Sequence, residues 1–469
     1  MSILENIRSG SDLRNLSFEE LEALCSEIRA VIINTVSKNG GHLASNLGAV
    51  ELSVALHRVY DSEKDRIIFD VGHQSYAHKL LTGRYERFHT LRQTGGLSGF
   101  LNPNESPSDA FISGHASTSV SAALGMAKAR TLRGEDYAVA AVIGDGSLTG
   151  GLAYEGLTNA AMCEEPLVIV INDNNMSIDP NVGGMAHILQ HMRTKPAYLS
   201  FKRAVRNNII RYREFYNTVH TVKEKIKTAI LPRNLFIDMG FEYLGPVDGH
   251  DLRALEEALS KAKDMNRPTV VHVMTVKGKG YEPAERDPDV YHGVGPFDAE
   301  TGKILSQGTS FSDRLGDELC SIAEENADVV AITAAMCLGT GLERFKKQFP
   351  KRFFDVGIAE GHAATFAAAL AKQGVVPVFA VYSSFLQRSF DMLIHDVSLL
   401  GLHVVFCVDR AGLVGQDGMT HHGTFDLAYL SIVPGMKIYS CSSYQELHDM
   451  LRAAVFQDTG PVAIRFSKE

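Results

Sequence analysis

Ten short apolar runs, each about the length of a strand and none long enough to span a membrane as a helix, recur along this chain between amphipathic segments. They occupy residues 66–70, 137–143, 167–171, 269–276, 329–333, 353–356, 375–381, 403–408, 436–439 and 462–466. Helical periodicity fills intervals at 18–36, 47–59, 117–132, 252–262, 311–325, 361–371 and 387–399. A run that is apolar at consecutive positions needs cover on both faces, so the alternation predicts parallel sheets packed between layers of helices. In such sheets ligands bind beyond the carboxyl ends of the strands. The informative polar residues fall there: Asp70, His73, Asp145, Asn172 to Asn174, Glu360, Tyr382 and Arg410.

At 469 residues, and with about 150 residues to a domain, two or three domains are expected, and large α/β units favour two. The polar stretch 280–308 has proline and glycine but no periodicity, which puts a boundary near 305 and divides the chain into 1–305 and 306–469. Residues 192–233 are rich in lysine and arginine and read as a solvated helical insertion, because charge runs usually face water. A net charge of −9 and a pI near 6.1 argue against a general nucleic-acid binder. Six dispersed cysteines without a CxxC pair indicate neither a zinc site nor a disulfide framework, and fit reduced thiols in a cytoplasm. The first sixteen residues carry acids and no sustained apolar stretch, so neither a secretory signal nor a membrane span is expected.

Gly144-Asp145-Gly146 closes the run at 137–143, and Asn174 follows the next run, 29 positions after Asp145. Magnesium is a hard, near-octahedral cation that takes oxygen ligands, a few from protein and the rest from phosphate and water. Asp145 offers a carboxylate, Asn174 an amide oxygen and Met176 a backbone carbonyl. Gly144 and Gly146 would let the main chain pass close to phosphate oxygens. The pairing resembles the thiamine diphosphate motif, although a bare Gly-Asp-Gly is also a common turn.

Further motifs stand in order along the chain: Gly40-Gly41-His42-Leu43-Ala44-Ser45, Asp70-Val71-Gly72-His73-Gln74, Gly114-His115-Ala116-Ser117, and residues 172–178, 244–250, 277–285, 353–360, 382–388, 409–412 and 417–423. Together they resemble the 1-deoxy-D-xylulose-5-phosphate synthase family of transketolase-like enzymes, from the first residues to the last. The resemblance implies two doubly wound parallel-sheet α/β domains of the thiamine diphosphate-binding type. The first would hold the diphosphate and the second the aminopyrimidine, in a homodimer using thiamine diphosphate and Mg2+. The implied reaction condenses pyruvate with glyceraldehyde 3-phosphate, releasing carbon dioxide, to give 1-deoxy-D-xylulose 5-phosphate, a precursor for isoprenoids, thiamine and pyridoxal.

Residue by residue, the resemblance assigns the metal to Asp145, Asn174 and Met176. It assigns the cofactor to these with His73, Gly114, His115, Ala116, Gly144, Gly146, Ser147, Lys277, Ile358, Glu360, Phe385 and Arg388. Glu360 matches the carboxylate that hydrogen-bonds the aminopyrimidine ring and favours its imino form. Its plainer reading is an acid answering the dipole at a helix start. His42, His73, His115 and His421 match active-site histidines, with His292 a further candidate. Arg388, Arg410, Tyr382 and Lys468 would meet the acceptor, where a guanidinium fork suits phosphate; salt bridges to Asp391 and Asp409 are the arginines' plainer reading.

The chain also departs from the family pattern. Lys468 lies in Phe466-Ser467-Lys468-Glu469 where the family has Tyr-Pro-Arg-Gly, Gly361 stands in place of glutamine, Cys337-Leu338 in place of Pro-Glu, and residues 101–104 in place of a basic loop. The family's third, carboxyl-terminal domain is expected to be absent, with a partner chain as one substitute. These departures keep two alternatives open: a transketolase-type or acyloin-forming enzyme with another acceptor or donor, and a cofactor-binding paralogue that needs a partner chain.

Overall fold

The computed structural model describes residues 2–174, 184, 188, 234–305 and 308–468. Met176 and the basic segment 192–233 lie outside the described residues. Helix α1 (Phe18–Asn39) begins at Ser17, whose hydroxyl accepts the N–H of Glu20 while the Glu20 carboxylate accepts the N–H of Ser17. This reciprocal cap satisfies two of the donors that a helix start leaves open. Helix α2 (Val50–Val59) follows, and then strand β1 (Arg66–Phe69) enters the first sheet.

That sheet continues with β2 (Val139–Gly144), β3 (Val168–Asp173), β4 (Glu242–Asp248) and β5 (Thr269–Met274), in the order β1-β2-β3-β5-β4 with every pair parallel. Its faces are covered separately. Ala141, Ile143, Ile169 and Ile171 pack on α3 (Ser119–Arg133) and α4 (Gly151–Ala161), while Ala140, Val142 and Val170 pack on α2 and α5 (Leu252–Lys263). This two-sided burial is why the strands read as unbroken apolar runs.

The second sheet is six-stranded and also parallel throughout. Its strands are β6 (Val329–Thr333), β7 (Phe353–Asp355), β8 (Val376–Tyr382), β9 (Val405–Asp409), β10 (Lys437–Ser440) and β11 (Val462–Arg465), in the order β10-β11-β9-β8-β6-β7. Helices α6 (Phe311–Glu325) and α8 (Tyr444–Phe456) cover the face carrying Ala331, Val378 and Val405, and α7 (Glu360–Lys372) the face carrying Ile332, Phe379 and Phe406. The expected α/β class with two parallel sheets is what the chain forms.

Two elements differ from the periodicity. Strand β4 is not expected from the sequence: Gly245-Pro246 interrupts it, and the register with β5 shifts between Leu244 and Val247. It is an edge strand, where proline's missing N–H costs least. The stretch 387–399 is helical but winds unevenly through short turns. After β5 the chain folds back on the first unit: Tyr291, Val294 and Phe297 join the core beneath α1, and Gly41 and Val294 exchange hydrogen bonds of 2.8 and 2.9 Å. Among the described residues no helix is long and apolar enough to cross a membrane, and none of the six cysteines forms a disulfide.

Candidate active site

The carboxyl ends of both sheets face one cavity of about 380 Å³, a size that suits a cofactor-scale ligand. From the first sheet come Gly144, Asp145, Gly146 and Ser147 after β2, Asn174 after β3 and Lys277 after β5, with Gly114 and Ala116 from the loop leading to α3. Ile358 and Glu360 after β7, Tyr382, Phe385 and Arg388 after β8, Arg410 after β9, His421, and Lys468 after β11 face them. His42, His73 and His292 also line the cavity. His115 does not line the cavity; its Nε2 pairs with the carbonyl of Thr420 at 2.8 Å and its ring stands edge-on to Phe385.

The turn after β1 brings His73 to the wall. Val71 adopts φ 61° and Gly72 φ 81°, and a β-branched residue in the left-handed region is strained, a cost often found at functional sites. A side chain at Gly72 would also meet the Ser113 hydroxyl at 2.0 Å. Asn46, fully buried, then ties the histidines together. Its Nδ2 donates to the carbonyls of His42 and His73, both at 2.7 Å, and its Oδ1 accepts the N–H of Tyr76 at 2.7 Å. The rings of His42, His73 and His292 form a triangle with centroids 5.9, 5.7 and 5.2 Å apart. Burial drives all three below the usual histidine range, His73 to about 3, so the triangle is neutral near pH 7. Asn46→Ala removes three buried hydrogen bonds and is expected to destabilise the fold by about 2–4 kcal/mol, read as a lower urea midpoint.

On the facing wall, Glu360 is 5% exposed at the start of α7. Burial raises its pKa against the pull of Arg388, whose Nη1 stands 3.7 Å from the carboxylate, an ionic contact too long for a hydrogen bond. The same guanidinium donates to the Ala116 carbonyl across the cavity. Arg410, with φ 59°, lies 3.7 Å over the Tyr382 ring and pairs with buried Asp409 at 3.0 Å while still lining the cavity. Burial takes His421 down to about 4, and its ring stacks on Phe100 at 4.6 Å.

Sequence reasoning missed Phe100, Arg92 and Asp417, which also line the cavity. Arg92 donates to Asp417 at 2.6 Å, and although burial alone would raise the Asp417 carboxyl, the Arg92 guanidinium holds it at about 2. Asp417 lies inside a motif already singled out; nothing adjacent to Arg92 or Phe100 marks them.

The donor set suits thiamine diphosphate. A carboxylate and an amide oxygen stand at adjacent strand ends, a side chain added at Gly144 would meet no atom within 4 Å, and His42 Nδ1, His73 Nδ1 and Gln74 Nε2 are buried without hydrogen-bond partners among the described residues. The apolar Val71, Ile358 and Phe385 also line the cavity, beside its polar groups.

Residues 307–469 match the family described as the transketolase pyrimidine-binding domain, which sets the class: an enzyme of the transketolase type. Residues 4–275 match the family described as 1-deoxy-D-xylulose-5-phosphate synthase. Among curated relatives, the 1-deoxy-D-xylulose-5-phosphate synthase of Pelotomaculum thermopropionicum is 51% identical over 99% of this chain and 74% of its own length. That of Symbiobacterium thermophilum is 52% identical over 99% of this chain and 72% of its own. A solved transketolase from Campylobacter jejuni aligns over 97% of this chain and 79% of its own at 18% identity and a TM-score of 0.45. The chain belongs to the 1-deoxy-D-xylulose-5-phosphate synthase family.

Proposed function

We propose that this chain is a carboligase dependent on thiamine diphosphate and Mg2+ that joins pyruvate to glyceraldehyde 3-phosphate, with loss of carbon dioxide, to give 1-deoxy-D-xylulose 5-phosphate. The observation that carries the reading is a single cavity with Asp145 and Asn174 on one wall and buried Glu360 on the other. Bound thiamine diphosphate supplies a nucleophilic carbon and takes up the electron pair released when carbon dioxide leaves.

The protein's part is to hold, orient and neutralise. Asp145 and Asn174, with the carbonyl expected of Met176, would ligate the metal; Gly144, Gly146, Ser147 and Lys277 would receive the diphosphate, with Gly114 and Ala116 on the same cavity and His115 next to them in the chain; Ile358 and Phe385 would meet the rings. Glu360 hydrogen-bonds the aminopyrimidine, with Arg388 beside it compensating its charge. Neutral His42, His73, His292 and His421 surround the pyruvate oxygens as donors or acceptors without adding charge. Arg410, Arg388, Tyr382 and Lys468 meet the acceptor phosphate.

The same reading carries a homodimer, a cytoplasmic setting, and a division into a diphosphate-binding unit over 1–305 and a pyrimidine-binding unit over 306–469. The experiment is to follow carbon dioxide release from carboxyl-labelled pyruvate with and without glyceraldehyde 3-phosphate, identifying the product by mass spectrometry. Acceptor-dependent release with formation of 1-deoxy-D-xylulose 5-phosphate is expected. Transfer from ketose donors with no release from pyruvate sinks the proposal in favour of a transketolase reaction.

A further inference from the structure

Gln74 is 2% exposed, stands on the cavity wall and is only half satisfied. Its Oε1 accepts from Asn172 Nδ2 at 2.9 Å, and Asn172 Oδ1 in turn accepts the Thr275 hydroxyl at 2.6 Å. This short ladder runs from the turn after β1 to β3 and on to the end of β5. With the oxygen engaged, Gln74 Nε2 is left buried with no hydrogen-bond partner among the described residues. A donor shut away from water in this manner carries its full desolvation cost, and buried groups of this kind are normally completed by a partner.

The position of the ladder identifies that partner. Asn172 lies opposite Gly144 in the β2–β3 register, and its backbone carbonyl accepts the N–H of Asp145 at 3.2 Å. Gln74 is thus one hydrogen bond removed from the corner at which Gly144 leaves open space. Asp145 and the amide oxygen of Asn174 answer a cation, and neither gives an anion a hydrogen bond from its side-chain oxygen. We propose that Gln74 Nε2 donates directly to an oxygen of the cofactor's diphosphate, and that Asn172 and Thr275 hold the carboxamide in the donating orientation. The proposal rests on the reading of this cavity as a thiamine diphosphate site.

Gln74→Glu is the decisive variant, because it keeps an acceptor for Asn172 while exchanging the free donor for a carboxylate oxygen. Gln74→Met removes both. Binding of thiamine diphosphate, and separately of inorganic pyrophosphate, is measured by calorimetry on the full chain at fixed Mg2+, with melting of the ligand-free proteins as the check on folding. Affinity for both probes is expected to fall roughly a hundredfold in Gln74→Glu and about tenfold in Gln74→Met, the range for a hydrogen bond to a charged group. Wild-type affinity, or tighter binding, in Gln74→Glu overturns the proposal, since a carboxylate in place of a donor on the diphosphate must weaken binding. If the wild-type protein itself gives no heat with thiamine diphosphate, the cofactor reading fails and takes this inference with it.

Discussion

Glu360→Ala is expected to lower pyruvate turnover by about a thousandfold or more while weakening thiamine diphosphate by no more than about tenfold. Glu360 and Asp145 stand on opposite walls, carried by different sheets, so removing one carboxylate leaves the metal and diphosphate contacts in place. The split between rate and affinity is the diagnostic feature. A helix-start acid with no further role would cost a fraction of a kcal/mol in stability and leave the rate alone. Turnover by acceptor-dependent carbon dioxide release and affinity by calorimetry check both halves; near-normal turnover would remove Glu360 from the chemistry.

Asp109→Ala is expected to cost about 3–5 kcal/mol of stability, the range for removing one member of a buried ion pair. Asp109 takes a two-pronged bond from Arg84 at 2.8 and 2.9 Å and a third contact from His78 Nε2 at 3.0 Å; His57 lies behind His78 at 2.9 Å. Arg84 also donates to Glu105 at 3.0 Å, which pairs with the buried ammonium of Lys79. The two carboxylates hold a loop as well as one another. Glu105 accepts the N–H of Ser98 at 2.8 Å and Asp109 that of Asn102 at 2.9 Å, on either side of Phe100, whose ring stacks on His421. A lower urea midpoint is therefore expected together with reduced turnover.

The pH dependence supplies a second check. Burial alone would raise the Asp109 carboxyl, but His78 and Arg84 outweigh it and hold it well below the usual range. A folded-state pKa below the unfolded value of about 3.9 gives stability that is present above the unfolded pKa and lost as pH falls through it toward the folded one. Glu51, held at about 2 against its own burial by His250 and Arg29, acts in the same sense. The wild-type protein should lose stability steeply below about pH 5, and Asp109→Ala should start lower and fall less steeply. Equal slopes would mean that Asp109 is not charged in the fold.

Most strands and the strand-end residues were legible in the sequence because two-sided burial demands consecutive apolar positions, and the chemistry-bearing residues sit where those runs stop. Asp145, Asn174 and Glu360 stand at such ends, and the Gly-Asp-Gly spacing together with the family resemblance singled them out from the other polar residues there. Strand β4 was hidden because a half-exposed edge strand interrupted by Gly245-Pro246 shows neither an apolar run nor alternation. Arg92 and Asp417 are 325 positions apart, and neither an apolar period nor a local motif relates residues that meet only when two sheets face one another.

Residue types and their spacing along the chain therefore determined the sheet-forming segments, the oxygen ligands offered at their ends and the family to which they belong, because each of these depends on short-range patterning and local chemistry. Which carboxylate is neutralised by which cation, that four histidines lose their charge, that Asn46 spaces two of them and that Gln74 keeps one donor open were decided only by tertiary structure. Desolvation and pairing depend on what the rest of the fold brings within a few ångströms, and no local stretch of sequence contains that.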